Sequence, residues 1–319
     1  MNSSGAVATI VSAIAFGTPL LLAGLGELLA ERSGVLNLGV EGMMLMGAVT
    51  GFYVSQTMHG DAWLILAASV VAAALAGALM ALIHAFLAIT GRVNQIVSGL
   101  ALTIFAGTVG LSSYLGQVWN VGGQHGVHQF TRVDLLGLKD VPLLGPILFH
   151  EDALVYLSWI LAAVVAFYLY RTRIGLYVRA VGESPQAADA MGINVTRYRY
   201  VHTVVGGAFA GLGGAYFTLA IAPIWTDGLT AGAGWIAIAL VIFAFWRPEL
   251  LVAGAYFFGL LASVGFTLQA HGVHLPSEVF SALPYVMTIV ALLIASASWA
   301  SRRLGTPAAL GVPYSRDEG

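Results

Sequence analysis

Residues 62–89 read AWLILAASVVAAALAGALMALIHAFLAI and contain no Asp, Glu, Lys or Arg. A helix needs about 20 such residues to cross the hydrocarbon core of a bilayer. The run is therefore predicted to span a membrane. Further apolar stretches, separated by short polar breaks, lie near 6–29, 38–56, 95–118, 153–170, 202–222, 231–246, 250–270 and 279–298. Together they predict an all-α fold, a polytopic transmembrane bundle of about nine spans, occupying residues 1–319 as one domain. The count becomes eight or ten if one run is broken or re-entrant. The second stretch invites that question, because it opens with Asn37 and Glu41.

Composition agrees with the local reading. The 319 residues are 59% hydrophobic and 9% charged, with a mean hydropathy of +0.87. An ordinary soluble domain carries about 25% charged residues. There is too little charge here to cover a soluble enzyme, and too much apolar content for a disordered chain. No cysteine is present, so a disulfide scaffold is excluded. A net charge of −2 gives no basic field for a nucleic-acid partner. The first Lys or Arg is Arg32, so the positive start of a secretory signal is missing and the first run is expected to stay as a helix.

Charge placement predicts orientation, since Lys and Arg gather on the cytoplasmic side. With nine alternating spans, one side receives Arg32, Arg92, Arg171, Arg173, Arg179, Arg197, Arg199, Arg247, Arg302, Arg303 and Arg316. The other side receives only Arg132 and Lys139. This puts the N-terminus outside and the C-terminus in the cytoplasm. Segment 119–152 becomes an external loop, 171–201 a cytoplasmic loop, and 299–319 a cytoplasmic tail. Glycine is abundant, at 39 residues, and Gly207 and Gly211 have GxxxG spacing. Small residues four apart let helix backbones approach in lipid. Packing is the expected role, with a hinge as the alternative.

The cytoplasmic loop is the most informative polar segment. Ser184 suits a helix N-cap and Pro185 the first helical turn. Gln186 to Met191 is predicted to form a short helix, ended by Gly192 in a left-handed conformation. Ala187, Ala188 and Met191 would form a small apolar face, fit to dock into a groove on another protein. An ordinary surface loop containing Ala-Ala fits the pattern equally well.

Resemblance narrows the choice. Gln186-Ala187-Ala188-Asp189-Ala190-Met191-Gly192-Ile193 resembles the Glu-Ala-Ala-x-x-x-Gly loop of ABC importer permeases, with Gln in place of Glu. Glu31-Arg32-Ser33-Gly34-Val35-Leu36-Asn37-Leu38-Gly39-Val40-Glu41-Gly42-Met43-Met44 is similar to the opening signature of nucleoside and simple-sugar uptake permeases, within the branched-chain amino-acid and ribose permease superfamily. Val93 to Leu100 and Gly234 to Leu240 extend the likeness, which runs from about residue 17 to 298. The resemblance implies a translocation subunit that does no covalent chemistry. It further implies a separate ABC ATPase subunit, a second permease subunit of paralogous sequence, an external substrate-binding lipoprotein, and a place in the bacterial inner membrane. Ser184, Pro185, Gln186, Ala187, Ala188, Asp189, Met191 and Gly192 would then be the ATPase-coupling residues. The chain holds no GxxxxGK[ST] loop, so ATP and Mg are expected on the partner and no cofactor on this chain.

Polar residues within the spans are the candidates for a translocation path. Glu27, Glu31 and Glu41 flank Arg32, and an ion pair holding a broken helix is the preferred reading. The alternative places Asn37 and Glu41 beside the cargo, hydrogen-bonding sugar hydroxyls. Asn94 and Gln95 offer donors and acceptors at a span entrance, either to cargo or as glue between helices. Trp225, Trp235, Phe243 and Trp246 are candidates to stack a nucleobase, although Trp225 and Trp246 fit interfacial anchors better. His125, His128 and His150 do not make up the closed ligand set that a zinc site needs, so no metal site is expected. Glu151 and Asp152 have no companion that would make them an acid–base pair. An ion-coupled secondary transporter would need paired carboxylates in mid-bundle, and an intramembrane enzyme would need a nucleophile and base on a span. Neither pattern is evident.

Overall fold

The structure, a computed structural model, describes residues 3–107, 109–121, 128–270, 276–296 and 305–315. Every predicted apolar stretch carries helix among these residues. The helices are α1 (Ser3–Arg32), α2 (Val40–Thr57), α3 (Ala62–Ala85), α4 (Gln95–Ala106), α5 (Leu111–Val118), α6 (Ala153–Arg171), α7 (Arg173–Glu183), α8 (Pro185–Ala190), α9 (Val195–Tyr216), α10 (Ala233–Phe243), α11 (Pro248–Ala270) and α12 (Ser277–Ser296). Among the described residues, six helical segments are long and apolar enough to cross a membrane: Gly5–Arg32, Ala62–Thr90, Gln95–Val118, Ala153–Arg171, Val195–Ile221 and Pro248–Gly265. The chain is therefore a multi-pass membrane protein.

Polar residues mark where these helices begin. Asp61 Oδ1 accepts from Trp63 N at 3.0 Å and Leu64 N at 3.2 Å. Asp152 Oδ1 does the same for Leu154 and Val155. Each carboxylate satisfies backbone donors that have no partner within the helix. Apolar side chains such as Leu75, Ile104 and Phe167 point outward, as expected where the surrounding solvent is lipid.

Helix α9 lies at the centre. Its glycines face three neighbours, so backbones meet where side chains would otherwise hold them apart. A Cβ on Gly206 would reach Gly26 O of α1 at 2.6 Å, and one on Gly207 would reach Gly77 O of α3 at 2.6 Å. A Cβ on Gly211 would collide with Ala73 O of α3, and one on Gly214 with Met44 O of α2. The expected packing role of Gly207 and Gly211 is what the structure contains.

Three stretches are less regular than the sequence suggests. Residues 95–118 break between α4 and α5. The run 231–246 is helical only over α10, whose 11 residues rise about 16 Å at 1.5 Å each. The expected tail is not free throughout, because Pro307 and Ala309 are buried. Arg302, Arg303 and Arg316 lie outside the described residues. In the loop 119–152, β1 (Val133–Asp134) pairs antiparallel with β2 (His150–Glu151). Phe130 N donates to Leu219 O at 2.7 Å, which fixes this loop at the C-terminal end of α9. Arg32, the α7–α8 elbow, the N-terminus of α9 and residues 305–315 gather at the opposite end.

Candidate translocation and coupling sites

Residues 33–39 interrupt the path from α1 to α2, and side chains from three helices hold the interruption. Glu27 Oε1 of α1 accepts from Asn37 N at 3.0 Å. Gln95 Oε1 of α4 accepts from Leu36 N at 2.7 Å. His84 Nε2 of α3 donates to Leu36 O at 3.1 Å, and its Nδ1 lies 3.1 Å from Ser98 Oγ. Thr103 Oγ1 donates to Leu38 O at 2.8 Å. Non-helical backbone buried within a bundle persists only where such partners exist. Asn37 turns its amide inward, accepting from Gly39 N at 3.0 Å and donating to Met43 Sδ at 3.3 Å.

Glu41 joins this junction to α10. Its Oε1 accepts from Thr230 Oγ1 at 2.6 Å and Gly232 N at 2.9 Å, and its Oε2 from Gly234 N at 2.7 Å. Gly232 takes φ +82° just before the helix. A Cβ on Gly234 would sit 2.5 Å from Glu41 N, so only glycine allows this approach. The side chain therefore lies between the N-termini of α2 and α10 and accepts from N–H groups that have no partner within the helix.

This corrects the expected ion pair. Among the described residues no ion pair joins Arg32 to Glu31 or Glu41. Adjacent residues on a helix do not face each other. Arg32 instead donates to Trp246 O from Nη2 at 2.8 Å and Nε at 3.1 Å, and to Gly305 O from Nη1 at 3.2 Å. The Trp246 indole N–H donates to Glu31 Oε2. Glu31 and Arg32 thus grip the α10–α11 turn, where Phe245 and Trp246 both have positive φ.

The aromatic candidates also separate. Trp225 and Trp246 are buried at 1% and 3% exposure, so they pack inside the protein rather than serving as interfacial anchors. Phe243 stacks on Phe258 with centroids 6.2 Å apart. Trp235, on the first turn of α10 beside the Glu41 junction, keeps 37% of its surface exposed. Asn94 and Gln95 point apart: Asn94 caps α4 at the surface, accepting from Ile96 N and Val97 N, whereas Gln95 is buried on Leu36.

The elbow at 184–194 is built locally. Ser184 Oγ accepts from Ala187 N at 3.4 Å, and Pro185 takes the first helical position. At the far end Gly192 N donates to Asp189 O at 2.8 Å, Ile193 N donates to Ala188 O at 3.0 Å, and Gly192 has φ +81°. That pair of bonds is the Schellman arrangement, which needs a left-handed residue at this point. Asn194 then caps α9 through Arg197 N at 2.9 Å. Ala188 does not lie on the outward face, as the sequence suggested. It is 3% exposed and packs with Val181, Val195 and Tyr314. Gln186, Ala187 and Ala190 face outward, and Met191 is 82% exposed. Beside the elbow, a cleft of about 770 Å³ is lined by Arg92, Asp189, Arg197, Tyr200 and Tyr314, among others.

Glu151 and Asp152 belong to neither site. Asp152 Oδ2 accepts from Tyr216 OH at 2.8 Å. Burial pushes the Glu151 carboxyl up to about 8, against the lowering influence of Arg132. His125 lies outside the described residues. Among the described residues no group of three metal-ligating side chains occurs.

Sequence comparison adds the ancestry. The branched-chain amino acid transport system permease component family matches residues 9–292. The chain is 41% identical to the putative glucose ABC transporter permease protein TsgC13 of Haloferax volcanii, over 94% of this chain and 95% of that protein. It is 37% identical to the guanosine ABC transporter permease protein NupQ of Bacillus subtilis, over 96% and 95%. It is 34% identical to the nucleoside ABC transporter permease protein NupC of Lactococcus lactis, over 89% and 91%. With a broken α1–α2 junction inside the bundle and a self-capped elbow at its surface, the chain belongs to the permease components of the branched-chain amino acid transport system family.

Proposed function

We propose that this chain is the translocation subunit of an ATP-driven importer whose cargo is a nucleoside. The observation that carries the reading is near full-length similarity to the permeases NupQ and NupC. The similarity to TsgC13 favours a second reading, a simple sugar. Nucleosides and sugars share a ring bearing several hydroxyls, which asks for similar donors and acceptors along a path.

In this reading the chain crosses the inner membrane of a bacterium nine times, with its N-terminus outside and its C-terminus in the cytoplasm. The seventh crossing combines non-helical residues 222–232 with the short α10. The path passes the junction where α2 and α10 begin, with Asn37, Glu41, Gln95 and Trp235 around it and Asn94 nearer the cytoplasmic mouth. Discontinuous helices meeting in mid-bundle suit such a site. Ser184 to Gly192 engages a separate ATPase subunit that holds ATP and Mg. Gln186, Ala187 and Met191 make the contact, while Pro185, Ala188 and Gly192 shape it. A paralogous second permease completes the channel, and an external lipoprotein delivers cargo. Closure of the ATPases then rocks the bundle between outward- and inward-open states. An ion-coupled carrier would transport without ATP.

The test is uptake of labelled guanosine and glucose by proteoliposomes containing the whole complex. ATP-dependent guanosine uptake is expected. Uptake of glucose alone would move the assignment to the sugar reading. Guanosine uptake by this chain without any ATPase would overturn the importer assignment.

A further inference from the structure

Residues 305–315 form a strap across the elbow end of the bundle, and neither candidate site accounts for it. Ala309 N donates to Gly182 O at the end of α7, at 2.9 Å. Gly311 N donates to Gly34 O in the α1–α2 turn, at 3.3 Å. Arg199 Nη1 of α9 donates to Val312 O at 3.0 Å, and Arg32 Nη1 of α1 donates to Gly305 O at 3.2 Å. Tyr314 packs on Val181, Ala188 and Val195, the cluster beneath α8. Eleven residues thus touch α1, the 33–39 turn, α7, α8 and α9.

Arg199 is the central post of this arrangement. It is 2% exposed, yet among the described residues only Nη1 has a hydrogen-bond partner, while Nε and Nη2 have none. A buried cation held by one carbonyl is a weak way to stabilise a fold, because an apolar side chain of similar length would avoid the desolvation. Its position has another use. Gly34 stands against the guanidinium with φ +89°, so Arg199 touches the α1–α2 turn on one side and the strap on the other. The strap reaches α8 through Tyr314 and the 33–39 turn through Gly311.

We infer that residues 305–315, pinned by Arg199, transmit motion of the α7–α8 elbow to the α1–α2 junction. The inference rests on the proposed role of that elbow in engaging an ATPase. Displacing α8 inward would press on Tyr314, and the strap would carry the displacement to Gly34 and so to the turn leading to Asn37 and Glu41. Arg199 acts here as a positioning residue and does not touch cargo.

The experiment compares wild type, R199M and a chain lacking residues 305–319, each reconstituted with ATPase and second permease. Three quantities are read: co-purification of the ATPase, ATP hydrolysis, and ATP consumed per guanosine taken up. In R199M the ATPase is expected to stay bound while ATP consumed per guanosine rises about 2- to 30-fold, the range seen for single substitutions in coupling networks. The shortened chain is expected to change in the same direction and further. R199M, which keeps an apolar stem in the same place, decides the matter if the shortened chain does not fold. An unchanged ratio in R199M, or loss of ATPase binding in place of a changed ratio, would overturn the transmission role. Wild-type uptake without the ATPase would instead remove the elbow reading on which it rests.

Discussion

The two bends of this chain, at 33–39 and 184–194, differ in how far they reach for hydrogen-bond partners. The first adds to its local bonds at Ser33, Gly34, Val35 and Gly39 a set of partners from Glu27, His84, Gln95 and Thr103, on three different helices. The second satisfies itself within a few residues, through Ser184, Gly192, Ile193 and Asn194. A bend held from outside cannot change shape without unmaking bonds throughout the bundle. A bend that caps itself can be pushed as a unit and keep its form. That contrast suits a gate in the first case and a handle in the second.

Substitutions sharpen the contrast, and the largest effect is expected at Glu41. Glu41→Ala leaves Thr230, Gly232 N and Gly234 N without their acceptor inside the bundle. A loss of about 3 kcal/mol or more is expected, at 1–3 kcal/mol per buried unsatisfied group. Thermal unfolding in detergent measures it. A melting temperature equal to wild type would mean that the α2–α10 junction does not depend on the carboxylate.

The next contrast lies within the elbow. Ala188→Glu places a carboxylate against Val181 and Val195, so a local loss of about 2 kcal/mol or more is expected. Ala187→Glu, one residue away, faces outward and is expected to change stability by less than ~0.5 kcal/mol while weakening ATPase co-purification. Equal behaviour of the two variants would show that the inward and outward faces of α8 are assigned wrongly.

Asn94→Ala removes the N-cap of α4 and is expected to cost about 1 kcal/mol. Gln95, its neighbour, holds the other bend. Gln95→Leu should therefore cost more, because Leu36 N is left unpaired. A reversed order would break the distinction between cap and brace.

A pH-dependent effect is expected at the far end of the bundle. Folding raises the Glu151 carboxyl from 4.5 to about 8. The folded state therefore holds a proton that the unfolded chain has released within that interval. The contribution is fully present below 4.5 and declines as pH rises through about 8. Hydrogen-exchange protection around β2 and the start of α6, taken relative to intrinsic exchange at each pH, should fall over this range in wild type and stay level in Glu151→Gln. A level profile in both would discard the carboxyl as the cause.

Much of this was legible in the sequence, for physical reasons that differ by region. Long charge-free runs have one stable fate in lipid, so the helices could be read directly. Ser184, Pro185 and Gly192 act on neighbours within the same turn, and their roles follow from local chemistry. Arg32 could not be read in the same way. Its partners are the carbonyls of Trp246 and Gly305, which only the folded bundle brings near. Glu41 invited a cation, yet the Thr230 hydroxyl and two backbone N–H groups at the start of α10 supply its donors. The burial of Ala188 turned on which side of a six-residue helix meets α9, and a short apolar pattern does not fix that rotation. The strap gave no signal, because the groups it offers to Gly182, Gly34, Arg32 and Arg199 are backbone groups that every sequence possesses.

The central claim is that the 184–194 elbow faces the cytoplasm and is gripped there by a separate ATPase. The chain has no cysteine, so Met191→Cys provides a single thiol at a site 82% exposed. Labelling with a membrane-impermeant maleimide is compared in intact cells and in inside-out vesicles, with and without the ATPase. The account expects no labelling in intact cells, rapid labelling in inside-out vesicles, and protection when the ATPase is bound. Labelling from outside the intact cell, or equal labelling with and without the ATPase, would contradict it.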